Sequence, residues 1–256
     1  MKLATWNVNS LKVRLPHLLD WLKLADPDVV ALQELKMVDD IFPHAELMQA
    51  GYVAATNGQK TYNGVAILAR LPLMPEAVSH NLPGFADEQR RVIAATVNGV
   101  RVISVYVVNG QEVGSEKYAY KLRFLDALHS YIAAESSRHE KLVVMGDYNI
   151  APAPEDTHDP AVWEGGILCS EPEREGLRAL LNLKLVDAFD VAPQRDGRFT
   201  WWDYRMAGFA RNLGLRIDHI LLSPALAAGL QRWRVDLAPR KLERPSDHAP
   251  VLVELT

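Results

Sequence analysis

Several apolar stretches of this 256-residue chain end abruptly in residues that can bind a cation or move a proton. Leu142 to Met145 is a continuous apolar run, Gly146 breaks it, and Asp147, Tyr148 and Asn149 follow. Such a run reads as a strand covered on both faces. If the backbone stays extended past Gly146, Asp147 and Asn149 share one face and Tyr148 takes the other. The same pattern recurs at Asn7, with Asn9 on its face, at Glu34, at Asp218 and at Ser246-Asp247-His248. Taken singly, an Asp or Asn after a strand is most often a turn residue or a helix cap. The repetition weighs more, because strands of one sheet can deliver their ends to a common edge.

The residue types fit one another. Carboxylate and amide oxygens, one imidazole and no thiolate suit a hard divalent cation such as Mg²⁺ or Mn²⁺. Neither a His-Glu-x-x-His helix nor a cysteine pair is present, so the common zinc frameworks are missing. Asp247 and His248 are sequence neighbours and point apart in an extended backbone. The carboxylate that orients His248 is therefore expected on another strand. Asp218 is suited to this, since it alternates to the face opposite Ile217. Buried there, it would fix the imidazole tautomer and favour the protonated form. His219, on the other face, reads as packing. The chain has no Gly-x-Ser-x-Gly elbow, Walker loop or Gly-x-Gly-x-x-Gly, which argues against nucleotide-cofactor chemistry.

These residues need strands to carry them. Leu3 to Asn9 and Val29 to Glu34 read as strands separated by a helix over Leu15 to Leu24, with Pro16 near its first turn and Asp26-Pro27-Asp28 as its stop. Asp39 to Ala50 reads as a short helix or loop, followed by strands at Gly51 to Ala55 and Gly64 to Ala69. Arg91 to Val97 and Val100 to Val107 form a hairpin, because Asn98-Gly99 supplies what a type I′ turn demands. Glu116 to Ser137 and Glu171 to Leu181 are helical, the former with Leu122, Leu125, Leu128 and Ile132 at helical spacing. Phe199 to Trp202, Leu215 to Leu222, Trp233 to Leu237 and Pro250 to Leu255 are expected strands. Hairpins mixed with long helices point to an α/β (α+β) protein with two packed sheets flanked by helices, not a doubly wound parallel sheet. With no repeat and no low-complexity linker, residues 1–256 are expected to form a single domain.

An apolar fraction of 48% and a charged fraction of 23% are ordinary for a globular protein. A net charge of −4 argues against a uniformly basic nucleic-acid binder and leaves room for a local basic groove, so it decides nothing about partners. Cys169 is the lone cysteine and reads as a small core or surface residue. The first residues lack a secretory apolar region and no stretch is long enough to span a membrane, so a cytoplasmic setting and no membrane partner are expected.

The motifs Trp6-Asn7-Val8-Asn9-Ser10-Leu11, Leu32-Gln33-Glu34-Leu35-Lys36, Tyr62-Asn63-Gly64-Val65-Ala66-Ile67, Gly146-Asp147-Tyr148-Asn149, Arg216-Ile217-Asp218 and Pro245-Ser246-Asp247-His248-Ala249-Pro250-Val251 together resemble the exonuclease III family of DNA-repair nucleases. That family lies within the endonuclease/exonuclease/phosphatase superfamily. The resemblance runs through the whole chain in the family's order. It implies a four-layered α/β sandwich and Mg²⁺- or Mn²⁺-dependent hydrolysis of DNA phosphodiesters, from 3′ ends or at abasic sites. It also implies Glu34 as the main metal ligand, with Asn7 nearby and Asp247 toward the metal. Asp147 would activate or orient the attacking water beside Asn149. Tyr106 would stand at the scissile phosphate, and Asp218 and His248 would be the paired carboxylate and imidazole.

For grip on DNA, Lys60, Arg90, Arg91, Lys117 and Lys121 lie in or near loops that could face phosphates. Trp201, inside an aromatic stretch, would by similarity line the pocket for an extrahelical deoxyribose or terminal nucleotide. Two departures stand out. Leu168 occupies a position where relatives that cut abasic sites commonly have a small residue, and there it would hinder a flipped sugar while leaving a frayed 3′ end accessible. Asn109-Gly110-Gln111 replaces the more usual Pro-x-Gly wording after Tyr106. The expected function is a 3′→5′ exodeoxyribonuclease on double-stranded DNA that also processes 3′ ends, acting as a monomer. The alternatives are abasic-site endonuclease activity as the main reaction, a phosphatase or phosphodiesterase acting on a small or lipid substrate, and a non-catalytic DNA-binding relative.

Overall fold

The computed structural model describes residues 1–256. Strands Gln194–Asp196, Leu230–Val235, Val251–Leu255, Lys2–Asn7, Val29–Gln33, Val65–Arg70 and Tyr52–Asn57 form a seven-stranded mixed sheet in that spatial order. Strands Glu76–His80, Val92–Val97, Val100–Tyr106, Leu142–Asp147, Asp218–Leu222 and Val186–Asp187 form a six-stranded second sheet. Alternation along the central strands explains how the two sheets stack. Leu3, Val29, Ala31, Val102, Val143, Met145 and Ile220 face the space between the sheets and form one buried cluster. The intervening residues, Ala4, Trp6, Val30 and Leu32, pack outward against Leu11, Leu18, Trp21 and Leu22 of the helix Leu11–Ala25. Leu142, Val144 and Leu221 pack on the opposite side against Phe124, Leu125 and Leu128 of Glu116–Ser136 and Leu177 and Leu180 of Glu171–Leu181. The layers are thus helix, sheet, sheet, helix, as the sequence suggests.

Followed to the strand ends, the same alternation places the polar residues. On the inner faces Leu3 is succeeded by Thr5 and Asn7, Ala31 by Gln33, Val102 by Ser104 and Tyr106, and Met145 by Asp147. Thr5, Gln33 and Ser104 bridge the sheets, through Thr5 Oγ1 to Gln33 Oε1 at 3.2 Å and Gln33 Nε2 to Ser104 Oγ at 3.2 Å. One step further, Tyr106, Asp147 and Asp218 are in register across three adjacent strands. The apolar core therefore gives way to a polar rim at one edge of both sheets.

Several boundaries differ from expectation. The first strand stops at Asn7 because Asn9 and Ser10 take positive φ of 42° and 83°, and the helix then begins at Leu11. Pro16 accordingly sits inside the helix on its exposed side, where it removes one helical hydrogen bond. The hairpin is as expected, with Asn98 and Gly99 at φ 50° and 75°. The expected strand Leu215 to Leu222 is two pieces: Gly214–Leu215 pairs with Trp201–Trp202, whereas Asp218–Leu222 joins the second sheet. Between them Arg216 is buried, with Nε 2.8 Å from Asp156 Oδ1 and Nη1 2.5 Å from Asp187 Oδ2. His219 completes this cluster and packs on the Tyr148 ring at 5.3 Å, in keeping with a packing role. Glu76–His80 is an exposed edge strand that no apolar run announces. Cys169 is buried, and burial pushes its thiol up to about 12.

Gly146 is required by close approach. A Cβ built there would lie 1.9 Å from the carbonyl oxygen of Val105 on the neighbouring strand. Gly146→Ala is expected to cost about 3 kcal/mol or more by urea denaturation. It should also displace Asp147, the next residue. A variant as stable as the parent would contradict this.

Candidate active site

Asn7 and Asp147 come from different sheets and meet at the polar rim. Asn7 Nδ2 donates to Asp147 Oδ2 at 2.8 Å and to Glu34 Oε1 at 2.9 Å. Both Asn7 and Asp147 are buried. Glu34 takes φ 54° just past the Val29–Gln33 strand, which turns its carboxylate toward them. Its second oxygen stands 2.9 Å from Lys36 Nζ. Asp147 Oδ1 accepts the Asn149 N–H at 2.9 Å, so an Asx-type turn ends the strand. Asn149, at φ 50°, leaves the extended conformation but still faces the cavity. Its amide is engaged by Val107 O and by Asn109 Nδ2, each at 3.1 Å. Tyr148 is wholly buried, as its place on the opposite face implies.

Across from Glu34, His248 Nδ1 lies 2.8 Å from Asp218 Oδ2, and Nε2 lies 3.6 Å from Asp147 Oδ2. Burial by itself would lower the imidazole pKa, but the carboxylates of Asp218 and Asp147 outweigh it and hold His248 at about 10. His248 is thus an imidazolium at neutral pH. Burial raises the Asp147 carboxyl above its ordinary value, with Asp218 and Glu34 pushing the same way and His248 and Asn7 opposing. Burial, Glu34 and Asp147 also raise the Tyr106 phenol well above its usual value, so it stays protonated.

Glu34, Tyr106, Asp147, Asn149 and His248 line a cavity of about 410 Å³ together with Asn109, Leu168, Trp201 and Asp247, while Asn7 and Asp218 do not line it. Asp247 faces the same cavity as Glu34 and Asp147. The ligand atoms within 4.8 Å of one another belong to Glu34, Asp147 and His248, and Asp247 is not among them. Its oxygens instead accept from Asn9 Nδ2 and Trp201 Nε1, each at 2.9 Å. Asp247 thereby fixes the Trp201 indole in the wall. Ser246 Oγ donates to Asn7 O at 2.7 Å and ties this segment to the first strand. Arg240, packed 4.7 Å from the centre of the Phe209 ring, donates to Ser246 O.

The basic residues divide. Arg91 lies 4.8 Å from the centre of the Tyr106 ring and lines a second, adjoining cavity with Lys117 and Asn109. Arg90 and Lys60 are exposed and line neither cavity. Lys121 does not face DNA at all: its side chain is fully buried in an ion pair with Glu173. Its position on the inner side of a helix, invisible from charge alone, is the reason. Glu173 has only a local sequence signal, the Ser170-x-x-Glu173 capping box. Trp163, at the end of the short helix Pro160–Trp163, and Ile167, in the turn that follows, also reach the cavity and carry none.

The donor set fits a metal. Held as an imidazolium by Asp218 and Asp147, His248 offers no lone pair to a cation. The Glu34 carboxylate, steadied by Asn7, suits a hard divalent cation. Bound there, such an ion would supply Lewis-acid polarisation of a phosphoryl oxygen.

A two-sheet α/β sandwich with oxygen ligands facing an imidazolium–carboxylate pair at its polar edge defines a phosphoester hydrolase. The chain belongs to the endonuclease/exonuclease/phosphatase family, whose family model matches residues 4–248. It is 34% identical to the exodeoxyribonuclease III of Haemophilus influenzae over 268 aligned positions, covering 99% of each chain. Among solved structures it is similar to a 3′-5′ exonuclease from Neisseria meningitidis, with 53% identity, TM-score 0.96 and coverage of 100% of this chain and 99% of that one. An AP endonuclease from Archaeoglobus fulgidus gives 37% identity and TM-score 0.93, again covering 100% of this chain and 99% of that one.

The electrostatics of the pair are measurable. Because the folded pKa of His248 lies above that of a free imidazole, its stabilising contribution is complete below about pH 6.5 and fades as pH rises through about 10. Asp218→Asn should lower the His248 pKa, followed by NMR titration of its ring protons, by about 1 to 3 pH units. An unchanged titration would contradict the pairing.

Proposed function

We propose that this protein is a metal-dependent DNA-repair nuclease, using Mg²⁺ or Mn²⁺, that hydrolyses phosphodiester bonds of double-stranded DNA from 3′ ends. Residues 1–256 would act as one catalytic domain and as a monomer, in the cytoplasm. The observation that carries this reading is the convergence on Asp147: Asn7 and Glu34 on one side, the His248 imidazolium at 3.6 Å on the other. Negative charge builds on phosphoryl oxygens during hydrolysis, and a fixed cation there lowers the barrier. Asp147, raised toward neutrality, accepts a proton from the attacking water, while Tyr106 keeps its own and can donate a hydrogen bond to the phosphate. Asp218 holds the His248 ring, and Glu34, with Asn7 beside it, would hold the metal. Asn149 fixes the Asp147 carboxylate. Trp201 and Leu168 bound the terminal nucleotide, and Arg91, with Asn109, grips the backbone alongside. The Neisseria relative solved as a 3′ phosphatase bound to a product DNA hairpin, at 52% identity, supports DNA as the substrate.

With labelled recessed duplex and Mg²⁺, the wild type should release nucleotides, and EDTA should stop it. Turnover of an inositol phosphate but not of DNA would sink this reading. Asp147→Asn should leave duplex binding nearly intact while cleavage falls by about 100-fold or more. Cleavage at the wild-type rate would remove Asp147 from its role, and with it the contrast to a non-catalytic binder.

Abasic-site incision is the second reading, favoured by the apolar wall of Trp201 and Ile217, which can accept a sugar without its base once Leu168 makes room. Leu168 is 4% exposed and has φ 69°. Glycine adopts that conformation readily, so Leu168→Gly enlarges the cavity without backbone strain. The wild type should prefer a recessed 3′ end over an internal abasic analogue, and Leu168→Gly should raise abasic incision. Efficient abasic incision by the wild type would refute steric exclusion by Leu168.

A further inference from the structure

The Lys121–Glu173 ion pair lies outside the cavity, beneath three of its walls. Lys121 projects from the helix Glu116–Ser136 and Glu173 from Glu171–Leu181, and both side chains are fully buried. The ammonium has three protons, and all three are engaged: by Glu173, by Asn149 O at 2.6 Å and by Asn109 O at 3.2 Å. Glu173 Oε1 also accepts the Leu168 N–H at 3.1 Å, and Oε2 accepts from Ser170 N and Oγ. Asn109, Asn149 and Leu168 all line the catalytic cavity. They come from the chain after Val100–Tyr106, the chain after Leu142–Asp147 and the chain before Glu171–Leu181. The connection continues inward, because Asn149 N–H donates to Asp147 Oδ1 at 2.9 Å. The fit is close: a Cβ at Gly110 would lie 3.2 Å from Lys121 Cδ and 2.8 Å from Ile167 Cδ1.

We propose that Lys121 and Glu173 are positioning residues, an ion pair that ties together the three loops carrying Asn109, Asn149 and Leu168 and so sets the Asp147 carboxylate and the cavity wall. The inference rests on the DNA-hydrolysis reading. A buried ion pair contributes little net stability, since the cost of stripping water from both charges offsets their attraction, and apolar residues of similar volume often serve a core as well. What an apolar pair cannot supply is donors and an acceptor to three separate main chains. Removing one partner alone strands the other as a buried charge, so that single change reports on folding and not on the site.

The test compares wild type, Lys121→Met and Lys121→Met/Glu173→Leu. Thermal stability, duplex affinity without metal, and kcat and KM on recessed duplex with Mg²⁺ are measured for each. Lys121→Met should be strongly destabilised. The double variant should recover most of the stability and bind duplex within about threefold of wild type, yet its kcat should fall by about 10- to 100-fold. A stable double variant with wild-type kcat overturns the proposal, as does a change confined to KM. A double variant that cannot fold overturns it too, because the pair would then be a requirement of the core. Wild type that fails to cleave DNA would instead strike the functional reading itself.

Discussion

The Asn7 amide stands between two carboxylates supplied by two places in the fold, and the site depends on that contact. Asp147 ends a strand of the six-stranded sheet, while Asn7 ends a strand of the seven-stranded sheet and Glu34 follows its neighbour. Two buried or half-buried carboxylates repel each other, and an amide donating one proton to each reduces the cost of bringing them together. The His248 imidazolium offsets the rest from the opposite side, kept charged by Asp218. The site is therefore assembled only when the sheets are stacked in the register that the core between them imposes.

That core explains why so much was legible in advance. Strand alternation, read from Leu3 to Asn7 or from Val143 to Asp147, assigns inner and outer faces without any coordinates, and it sends Asn7 and Asp147 to the same interior. The pairing of Asp218 with His248 follows from the same logic, because a residue cannot easily face its own sequence neighbour. The layers were legible for a related reason: helices and hairpins alternate in a pattern that one parallel sheet would not accommodate.

The misreadings come from places where local pattern and tertiary position separate. Lys121 has the charge of a phosphate contact, but helix phase turns it inward to Glu173. The strand expected from Leu215 to Leu222 is interrupted because Arg216 must reach Asp156 and Asp187 as the chain passes from the small sheet to the large one. Each depends on a partner distant in sequence, and no periodicity within a single segment encodes it.

The alignment of Glu34 and Asp147 by Asn7 joins the two sheets into one site. It is tested most directly by Asn7→Ala, in single-turnover cleavage of a recessed duplex across a Mn²⁺ titration, with the melting temperature measured alongside. A loss of about 10- to 100-fold in metal affinity or cleavage rate is expected, with the fold retained. Cleavage and Mn²⁺ dependence equal to those of the wild type would contradict it.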